Sequence, residues 1–274
     1  MVERNNGLRF EGTVAVVTGS TSDPSIGWSC ASGLAREGAA VVINGRSAEA
    51  VRAAEAKLRA EGLRVAGVVG PMEDSEIPAR LVSTAVDQFG KIDFLVNTVG
   101  GAPYVGSPRT MDRAAFLGTV ELNTWPSVAL VQAALEKGLA DNKGAVVFVS
   151  SGTVHLTTPT MVAYKAAKSA LNALTATLAR DLASFSIRVN AVAPGLTISS
   201  ATLPLLETDL AKRAGAEHPL GRLPHADDIA DVALFLLSDD ASMVTGQIID
   251  VDAGAHLIGG WSPYTPPRVP DAAG

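Results

Sequence analysis

The sequence predicts an α/β fold, a doubly wound parallel sheet flanked by helices. Short apolar, β-branched runs alternate along the chain with longer segments of helical periodicity, which is the pattern of repeated βα units. The run at 145–151 is apolar up to two terminal serines, as expected for a parallel strand buried on both faces. The chain has 274 residues, within the range of one α/β domain, and its 47% hydrophobic content can fill such a core.

Each element follows from one of these two patterns. The runs rich in Val, Ile and Ala predict strands at 13–18, 40–44, 64–69, 93–97, 145–151, 187–192 and 247–251. The segments with apolar residues at helical spacing predict helices at 28–37, 48–61, 77–89, 125–137, 163–183 and 226–237. We interpret 1–258 as one domain, because no linker, repeat or low-complexity segment interrupts it, and the Pro-rich residues 259–274 as a surface arm.

Composition argues against several classes of function. The net charge is −6 and no lysine/arginine cluster occurs, so the chain lacks the basic face that nucleic-acid binding needs. Residues 1–12 contain no apolar core, so we expect no signal peptide or membrane span there, and a cytoplasmic enzyme. Cys30 is the only cysteine, which excludes an intramolecular disulfide and is compatible with a reducing compartment. The four histidines have no cysteine or carboxylate at ligand spacing, so we expect no metal.

Three residues with hydroxyl, phenol and ammonium groups form the main candidate site. Tyr164 and Lys168 are four residues apart on a predicted helix, so the ammonium can lie beside the phenol and favour its ionised form. Ser151 ends a predicted buried strand, at the carboxyl edge where open α/β sheets bind ligands. The three groups together predict a proton-transfer site, although a Tyr-x3-Lys spacing alone also occurs on helices without catalytic roles.

The first βα turn is the candidate cofactor site. A β-branched strand leads into the Gly/Ser-rich segment 19–27 and then into a helix. This order places backbone N–H groups and the positive end of a helix where a pyrophosphate can bind. An ordinary βα turn that uses glycine for tightness is the alternative.

Together these segments resemble the short-chain dehydrogenase/reductase family, in its classical ketoreductase-like branch, and the resemblance covers nearly the whole chain. It implies a single-domain Rossmann-type fold. Further segments match family motifs in order: Asn97-Thr98-Val99-Gly100, Asn123, Asn190 to Gly195, Pro219-Leu220-Gly221-Arg222, Val244-Thr245-Gly246-Gln247 and Val251 to Gly254.

The resemblance implies a reaction and a set of roles. A hydride passes between NADP(H) and a carbonyl or secondary alcohol while Tyr164 exchanges a proton with the oxygen. Ser151 bonds that oxygen, Lys168 lowers the pKa of the tyrosine and binds the nicotinamide ribose, and Asn123 holds a water relay. The implied cofactor-binding residues are Gly19, Ser20, Ser25, Ile26, Gly27, Arg46, Ser47, Asn97, Gly100, Tyr164, Lys168, Pro194, Gly195 and Thr197.

The end of the second predicted strand favours NADP(H) over NAD(H). An NAD site offers a carboxylate there to the ribose 2′-hydroxyl, but no acid occurs before Glu49. Arg46 can bind a 2′-phosphate through charge-assisted hydrogen bonds, and Ser47 can add one more.

Two departures from the family pattern leave alternatives open. Five residues separate Gly19 from Ser25, a longer loop that is similar to that of the enoyl-carrier-protein reductases, although their tyrosine and lysine are seven residues apart. Segment 68–72 lacks the aspartate that the family offers to adenine. An enoyl-thioester reductase and a non-catalytic NADP-binding module therefore remain alternatives to a ketoreductase.

Substrate and assembly are implied only coarsely. The expected substrate lid, about 196–217, carries several leucines with few charges near its start and suits an apolar or moderately polar ketone. His155 can contact the substrate or be a polar loop residue. We expect a homo-oligomer, a tetramer, because the helix at 163–183 has small faces suited to close packing on both sides. We expect this helix and the helix at 125–137 to be paired across a two-fold axis. Trp125, at the start of the latter helix, is expected to be a packing residue.

Overall fold

The computed structural model of the protein describes residues 8–156, 159–203 and 216–258. Most of the expected lid, 204–215, and the whole expected arm, 259–274, lie outside the described residues. The strands of the described part are β1 Val14–Val17, β2 Ala40–Gly45, β3 Val65–Val69, β4 Phe94–Asn97, β5 Ala145–Val149, β6 Arg188–Pro194 and β7 Ile248–Val251. The α-helices whose bounds lie within the described residues are α1 Ile26–Arg36, α2 Ala48–Ala60, α3 Glu76–Phe89, α4 Arg113–Glu136, α5 Val162–Leu182 and α6 Ala226–Leu237.

The strands of the described residues form one parallel sheet in the order β3-β2-β1-β4-β5-β6-β7. The chain winds outward from β1 through β2 to β3, and then returns to β4 on the other side of β1. The carboxyl ends of β1 and β4 therefore flank the point where the winding reverses, which is where such sheets bind ligands. This topology confirms the predicted α/β doubly wound fold.

Apolar side chains on the two faces of the sheet form two cores. Along β1, Val14 and Val16 pack with α3, α4 and α5, whereas Ala15 and Val17 pack with α1, α2 and α6. This alternation follows from the two-residue period of a strand. Cys30 lies fully buried in the second core, and burial raises the pKa of its thiol to about 12.

Helix α4 differs most from its predicted bounds. It begins at Arg113 rather than at Trp125, after the Asp112 carboxylate accepts a hydrogen bond from the N–H of Ala115 at 2.7 Å. The helix continues through Pro126, although proline has no N–H to donate and is more usual in a first turn. The expected packing of Trp125 is wrong for the single chain, because this side chain is 48% exposed.

Candidate active site

Ser151 lies just beyond the carboxyl end of β5, as the sequence predicts. Its side chain begins a short 3₁₀ turn at Gly152–Val154. The Ser151 Oγ accepts hydrogen bonds from the backbone N–H of Thr153 at 3.2 Å and from the Thr153 hydroxyl at 3.0 Å. Both bonds leave the proton of the Ser151 hydroxyl for another acceptor.

Helix α5 brings Tyr164 and Lys168 onto one face beside Ser151. The Lys168 Nζ lies 5.7 Å from the centroid of the Tyr164 ring and donates a hydrogen bond to the carbonyl oxygen of Val149 at 2.8 Å. Lys168 is only 2% exposed, and this burial lowers the pKa of its ammonium to about 8. The predicted trio therefore meets at the carboxyl edge of the sheet.

The phenol of Tyr164 is shifted toward its neutral form. Burial raises its pKa above the ordinary value, and the hydrogen bond with Ser151 offsets only part of this shift. The direction is opposite to the effect that the Tyr-x3-Lys spacing suggests, because desolvation penalises the phenolate. In this state Tyr164 holds a proton that it can donate.

Asn123 fixes the loop that follows β4. Its Oδ1 accepts from the N–H of Gly101 at 3.0 Å, and its Nδ2 donates to the carbonyl oxygens of Gly101 at 2.8 Å and Thr119 at 2.7 Å. A Cβ on Gly100 would lie 2.5 Å from this Oδ1 and 2.9 Å from the Lys168 Nζ, so only glycine fits between them. The predicted Asn123 and Gly100 thus adjoin the trio.

The loop between β1 and α1 is held tightly against the sheet. A Cβ on Gly27 would lie 2.3 Å from the carbonyl oxygen of Gly19, so glycine is required where helix and loop approach. The Ser25 hydroxyl caps α1 by accepting from the N–H of Trp28 at 3.1 Å. The N-terminus of α1 therefore points its first N–H groups toward the edge of the sheet.

The additional residues of this longer loop, between Gly19 and Ser25, contact two other parts of the chain. The carboxylate of Asp23 pairs with Lys57 of α2 at 2.7 Å, and the Lys57 ammonium lies 4.7 Å from the ring centroid of Trp28. The carbonyl oxygen of Pro24 accepts a hydrogen bond from the N–H of Ser200. The longer loop is thus connected to the segment that leads into the expected lid.

A cavity of about 540 Å³ opens between this loop and the ends of β2, β3 and β4. Four of the predicted cofactor residues line it, namely Gly19, Ser25, Arg46 and Gly100. Several residues that the sequence did not single out also line it, including Thr21, Gly45, Gly70, Met72, Glu73 and Ser200. The strand ends of a parallel sheet meet at one edge, but which side chains converge there depends on register and is not visible in the sequence.

Other predicted cofactor residues lie close to lining residues in the chain but are not themselves in the lining. The buried Ser20 donates to the carbonyl oxygen of Val17 at 2.7 Å, and the buried Asn97 amide donates to Ser127 Oγ at 2.7 Å. Ser47 caps α2 by accepting from the N–H of Ala50 at 3.2 Å, which leaves its hydroxyl proton for a ligand. Ile26 and Gly27 form the first turn of α1.

The remaining predicted residues lie at the carboxyl end of β6. Pro194 is the last residue of that strand, and Thr197 is buried. A Cβ on Gly195 would lie 2.7 Å from the Cβ of Asp252, which explains the Pro-Gly turn by close packing. These residues lie near Ser151, since a Cβ on Gly152 would lie 3.3 Å from the carbonyl oxygen of Pro194.

His155 is placed by an acidic partner on β7. Its Nε2 lies 3.2 Å from Asp250 Oδ1, and its side chain is 45% exposed. His256 pairs in the same way with Asp252 at 2.8 Å, which raises the pKa of its imidazole. No group of three or more His, Cys, Asp or Glu side chains in the described part of the chain could hold a metal ion.

The cavity suits the phosphates and the adenosine half of a dinucleotide, whereas Ser151, Tyr164 and Lys168 are not in its lining. It extends from the N-terminal end of α1, which suits phosphates, to a wall that carries an arginine just after β2.

Across residues 8–156, 159–203 and 216–258, no helix is both long and apolar enough to cross a bilayer.

The comparisons with known proteins decide the family. A family model described as "Enoyl-(Acyl carrier protein) reductase" matches residues 19–256. The human protein "Dehydrogenase/reductase SDR family member 2, mitochondrial" is 39% identical over 239 residues, which are 87% of this chain and 84% of that protein. The chain belongs to the short-chain dehydrogenase/reductase family.

Solved short-chain dehydrogenase/reductases share the whole fold. A short-chain type dehydrogenase/reductase from Mycobacterium ulcerans has a TM-score of 0.86 at 31% identity, and the match covers 91% of this chain and 92% of that one. A 7α-hydroxysteroid dehydrogenase in complex with NADH and 7-oxo glycochenodeoxycholic acid has a TM-score of 0.84 at 30% identity, with 90% and 96% covered. This chain is therefore an oxidoreductase of a family that transfers hydride with a nicotinamide cofactor.

Proposed function

We propose that this short-chain dehydrogenase/reductase is an NADPH-dependent ketoreductase, which reduces a ketone to a secondary alcohol with Tyr164 as the general acid. One observation carries the proposal. A phenol whose pKa is raised by burial adjoins the Ser151 hydroxyl and the Lys168 ammonium at the carboxyl edge of the sheet. This arrangement supplies a proton donor beside a hydrogen-bond donor and a positive charge.

The contacts of each residue determine its role in the proposed reaction. Tyr164 donates its proton to the substrate oxygen as negative charge develops there. Ser151 donates a second hydrogen bond to that oxygen, since its lone pairs are already used by Thr153. The positive charge of Lys168 stabilises the phenolate form of Tyr164 once Tyr164 has donated its proton. Because these groups are held by helix and strand, they need little reorganisation when the reaction occurs.

Asn123 completes the proton path in this proposal. Its Oδ1 uses one lone pair for Gly101, and the other can hold a water molecule. That water would lie toward the Lys168 Nζ, since both atoms crowd the same side of Gly100. A proton from solvent can then return to Tyr164 after each turnover.

The proposed cofactor is NADP(H), which supplies the hydride when bound. Gly19, Ser25 and the first N–H groups of α1 would hold its pyrophosphate, and Arg46 with Ser47 its 2′-phosphate. Lys168 would bind the nicotinamide ribose, and the Pro194-Gly195 turn would bound the nicotinamide side. The related 7α-hydroxysteroid dehydrogenase is in complex with NADH, so membership of the family does not by itself select NADP(H), and in this proposal the residues after β2 carry the choice.

Assembly and location complete the proposal. The exposed Leu117 and Trp125 lie eight residues apart on α4, about two helical turns, and give this helix an apolar outer surface. We assign this surface to a two-fold interface of a homotetramer. The single buried Cys30 suits a reducing compartment, and we place the enzyme in the cytoplasm.

Enoyl-thioester reduction is the second candidate. The description of the matching family model and the longer loop between Gly19 and Ser25 favour it. The one-turn spacing of Tyr164 and Lys168 favours ketone reduction, because it puts the ammonium beside the phenol.

A substrate panel separates these functions. NADPH oxidation is followed by its absorbance with a series of ketones, β-ketothioesters and crotonyl thioester. We expect turnover with ketones or β-ketothioesters. Turnover with crotonyl thioester alone would support the enoyl reductase, and cofactor binding without turnover on any ketone or alcohol would indicate a non-catalytic module.

A further inference from the structure

Among the described residues that line the cavity, two carry charged side chains of opposite sign. Arg46 follows β2 and Glu73 follows β3, and both are exposed. Neither forms an ion pair with another residue in the part of the chain that the structure describes, and they do not pair with each other. Both charges are therefore available to one occupant of the cavity.

The register of the sheet orders these two groups along the cavity. Gly45 pairs with Val69, and the N–H of Gly70 donates to the carbonyl oxygen of Gly45 at 3.0 Å. Arg46 therefore lies one residue beyond the paired ends, and Glu73 lies four beyond. Neighbouring strands are about 4.8 Å apart, so the two charged residues follow adjacent strand ends at the same edge of the sheet. Met72, which is 3% exposed and precedes Glu73 in the chain, also lines the cavity and offers an apolar wall.

We propose that Glu73 determines recognition of the adenine base, by accepting a hydrogen bond from its exocyclic 6-amino group. The inference rests on the proposed function, in which the adenosine half of the cofactor lies beside Arg46. With the 2′-phosphate at Arg46, the base extends past the ribose toward Gly70, Met72 and Glu73. Glu73 is the only carboxylate among the described residues of the lining. A carboxylate can only accept, and the 6-amino group is the donor that adenine presents.

The strength of this contact follows from its charge. A hydrogen bond to an ionised acceptor is roughly twice as strong as one between neutral groups. Removal of the amino group leaves the carboxylate facing a ring hydrogen, without a donor. We therefore expect a cofactor without the 6-amino group of adenine to bind more weakly by about tenfold or more.

The test compares two cofactors that differ only in this amino group. The dissociation constants of NADPH and of its analogue with purine in place of adenine are measured by nicotinamide fluorescence, without substrate. We expect the wild-type protein to bind NADPH about tenfold or more tightly than the analogue. Glu73→Ala should bring the ratio close to one. Glu76→Ala, which removes an exposed carboxylate of α3 outside the cavity lining, should leave the ratio unchanged.

The outcomes distinguish this inference from the proposed function. A wild-type ratio near one overturns it, as does a ratio that Glu73→Ala leaves intact. The same pair of measurements is made with NADH and its purine analogue. If NADH binds and NADPH does not, the proposed NADPH dependence fails, while the NADH pair still tests Glu73. Melting temperatures of both variants verify that their folds are unchanged.

Discussion

The ammonium of Lys168 donates a hydrogen bond to the carbonyl oxygen of Val149, 2.8 Å away, and so joins α5 to the end of the strand that delivers Ser151. This bond gives Lys168 one fixed partner in a buried site. The cost of desolvation still lowers its pKa to about 8. Lys168 is therefore a group of the proposed site whose charge changes just above neutral pH.

The first prediction is a fall in reductase activity above pH 8. A lowered pKa means that the ammonium is charged below about 8 and loses its proton as the pH rises through that value. Because the phenolate of Tyr164 forms beside this charge, we expect kcat/KM for reduction to be flat below about pH 8 and to fall above it by up to about tenfold per unit. A profile of kcat/KM against pH measures this.

Two variants test whether Lys168 causes the break in that profile, which is the pH at which kcat/KM begins to fall. Lys168→Met should have much lower activity and no break near pH 8. Lys165→Met is the matched control, since the Lys165 ammonium instead bonds the carbonyl oxygen of Leu156, and it should keep the break. A wild-type profile that is flat through pH 9 would refute the role of Lys168.

The second prediction is that Tyr164→Phe stops reduction but leaves cofactor binding nearly intact. Phenylalanine keeps the packing of the ring and removes only the proton donor. General acid catalysis is worth about 10² to 10⁴ in rate, so kcat should fall by that factor. The dissociation constant of NADPH serves as the control. A variant that keeps more than about a tenth of the wild-type kcat contradicts the assignment of Tyr164 as general acid.

The third prediction separates the role of Asn123 from that of an ordinary buried amide. Asn123→Ala leaves the N–H and carbonyl oxygen of Gly101 without their partner, so we expect a loss of about 1 to 3 kcal/mol in stability. Asn142 also bonds backbone carbonyl oxygens, those of Ile92 and Gly138, but it lies before β5 begins, at the opposite edge of the sheet from the trio. Both alanine variants should melt earlier, but only Asn123→Ala should lower kcat. Equal kcat values in the two variants would show that Asn123 is merely structural.

The fourth prediction concerns assembly. Light scattering at micromolar concentration should give the mass of a tetramer. Trp125→Glu should lower this mass, because it places a charge on the apolar outer surface of α4. Leu8→Glu, which changes another exposed apolar side chain, 52% exposed, should not alter it. A monomeric wild type would contradict the proposed tetramer.

The sequence predicts the sheet well because each strand carries a local signal. A buried parallel strand is a short apolar run, so the bounds of β2 and β5 follow within two residues. The trio is also visible, since Tyr164 and Lys168 share a helix face and Ser151 ends a strand. Family motifs supply the rest of the expected site. These features depend on residues that are near one another in the chain.

Features that depend on contacts across the fold were harder to predict. The start of α4 at Arg113 is not evident, because Pro126 resembles a helix start and the continuous helix is supported by packing against α3 and α5. The direction of the Tyr164 pKa shift depends on burial, which a spacing does not reveal. The approach of Glu73 to the cavity likewise follows from the register of β2 and β3.

The last prediction is that NADPH is preferred to NADH and that Arg46 carries the preference. Arg46 lines the cavity just beyond β2, is exposed, and has no ion-pair partner among the described residues, so its guanidinium is available to a phosphate. Ser47 caps α2 through its oxygen and keeps a proton for the same phosphate. A hydrogen bond to a charged group is worth about 1.5 to 3 kcal/mol, which corresponds to a preference of about 10- to 150-fold.

The measurement is kcat/KM for both cofactors in wild type, Arg46→Ala and Arg52→Ala. Arg52 is a matched control because it is an exposed arginine of the neighbouring helix α2 and does not line the cavity. We expect Arg46→Ala to reduce the NADPH to NADH ratio toward one by weakening only the use of NADPH, and Arg52→Ala to leave it unchanged. Equal use of the two cofactors by the wild type, or a ratio that survives Arg46→Ala, would show that the 2′-phosphate is not read by Arg46.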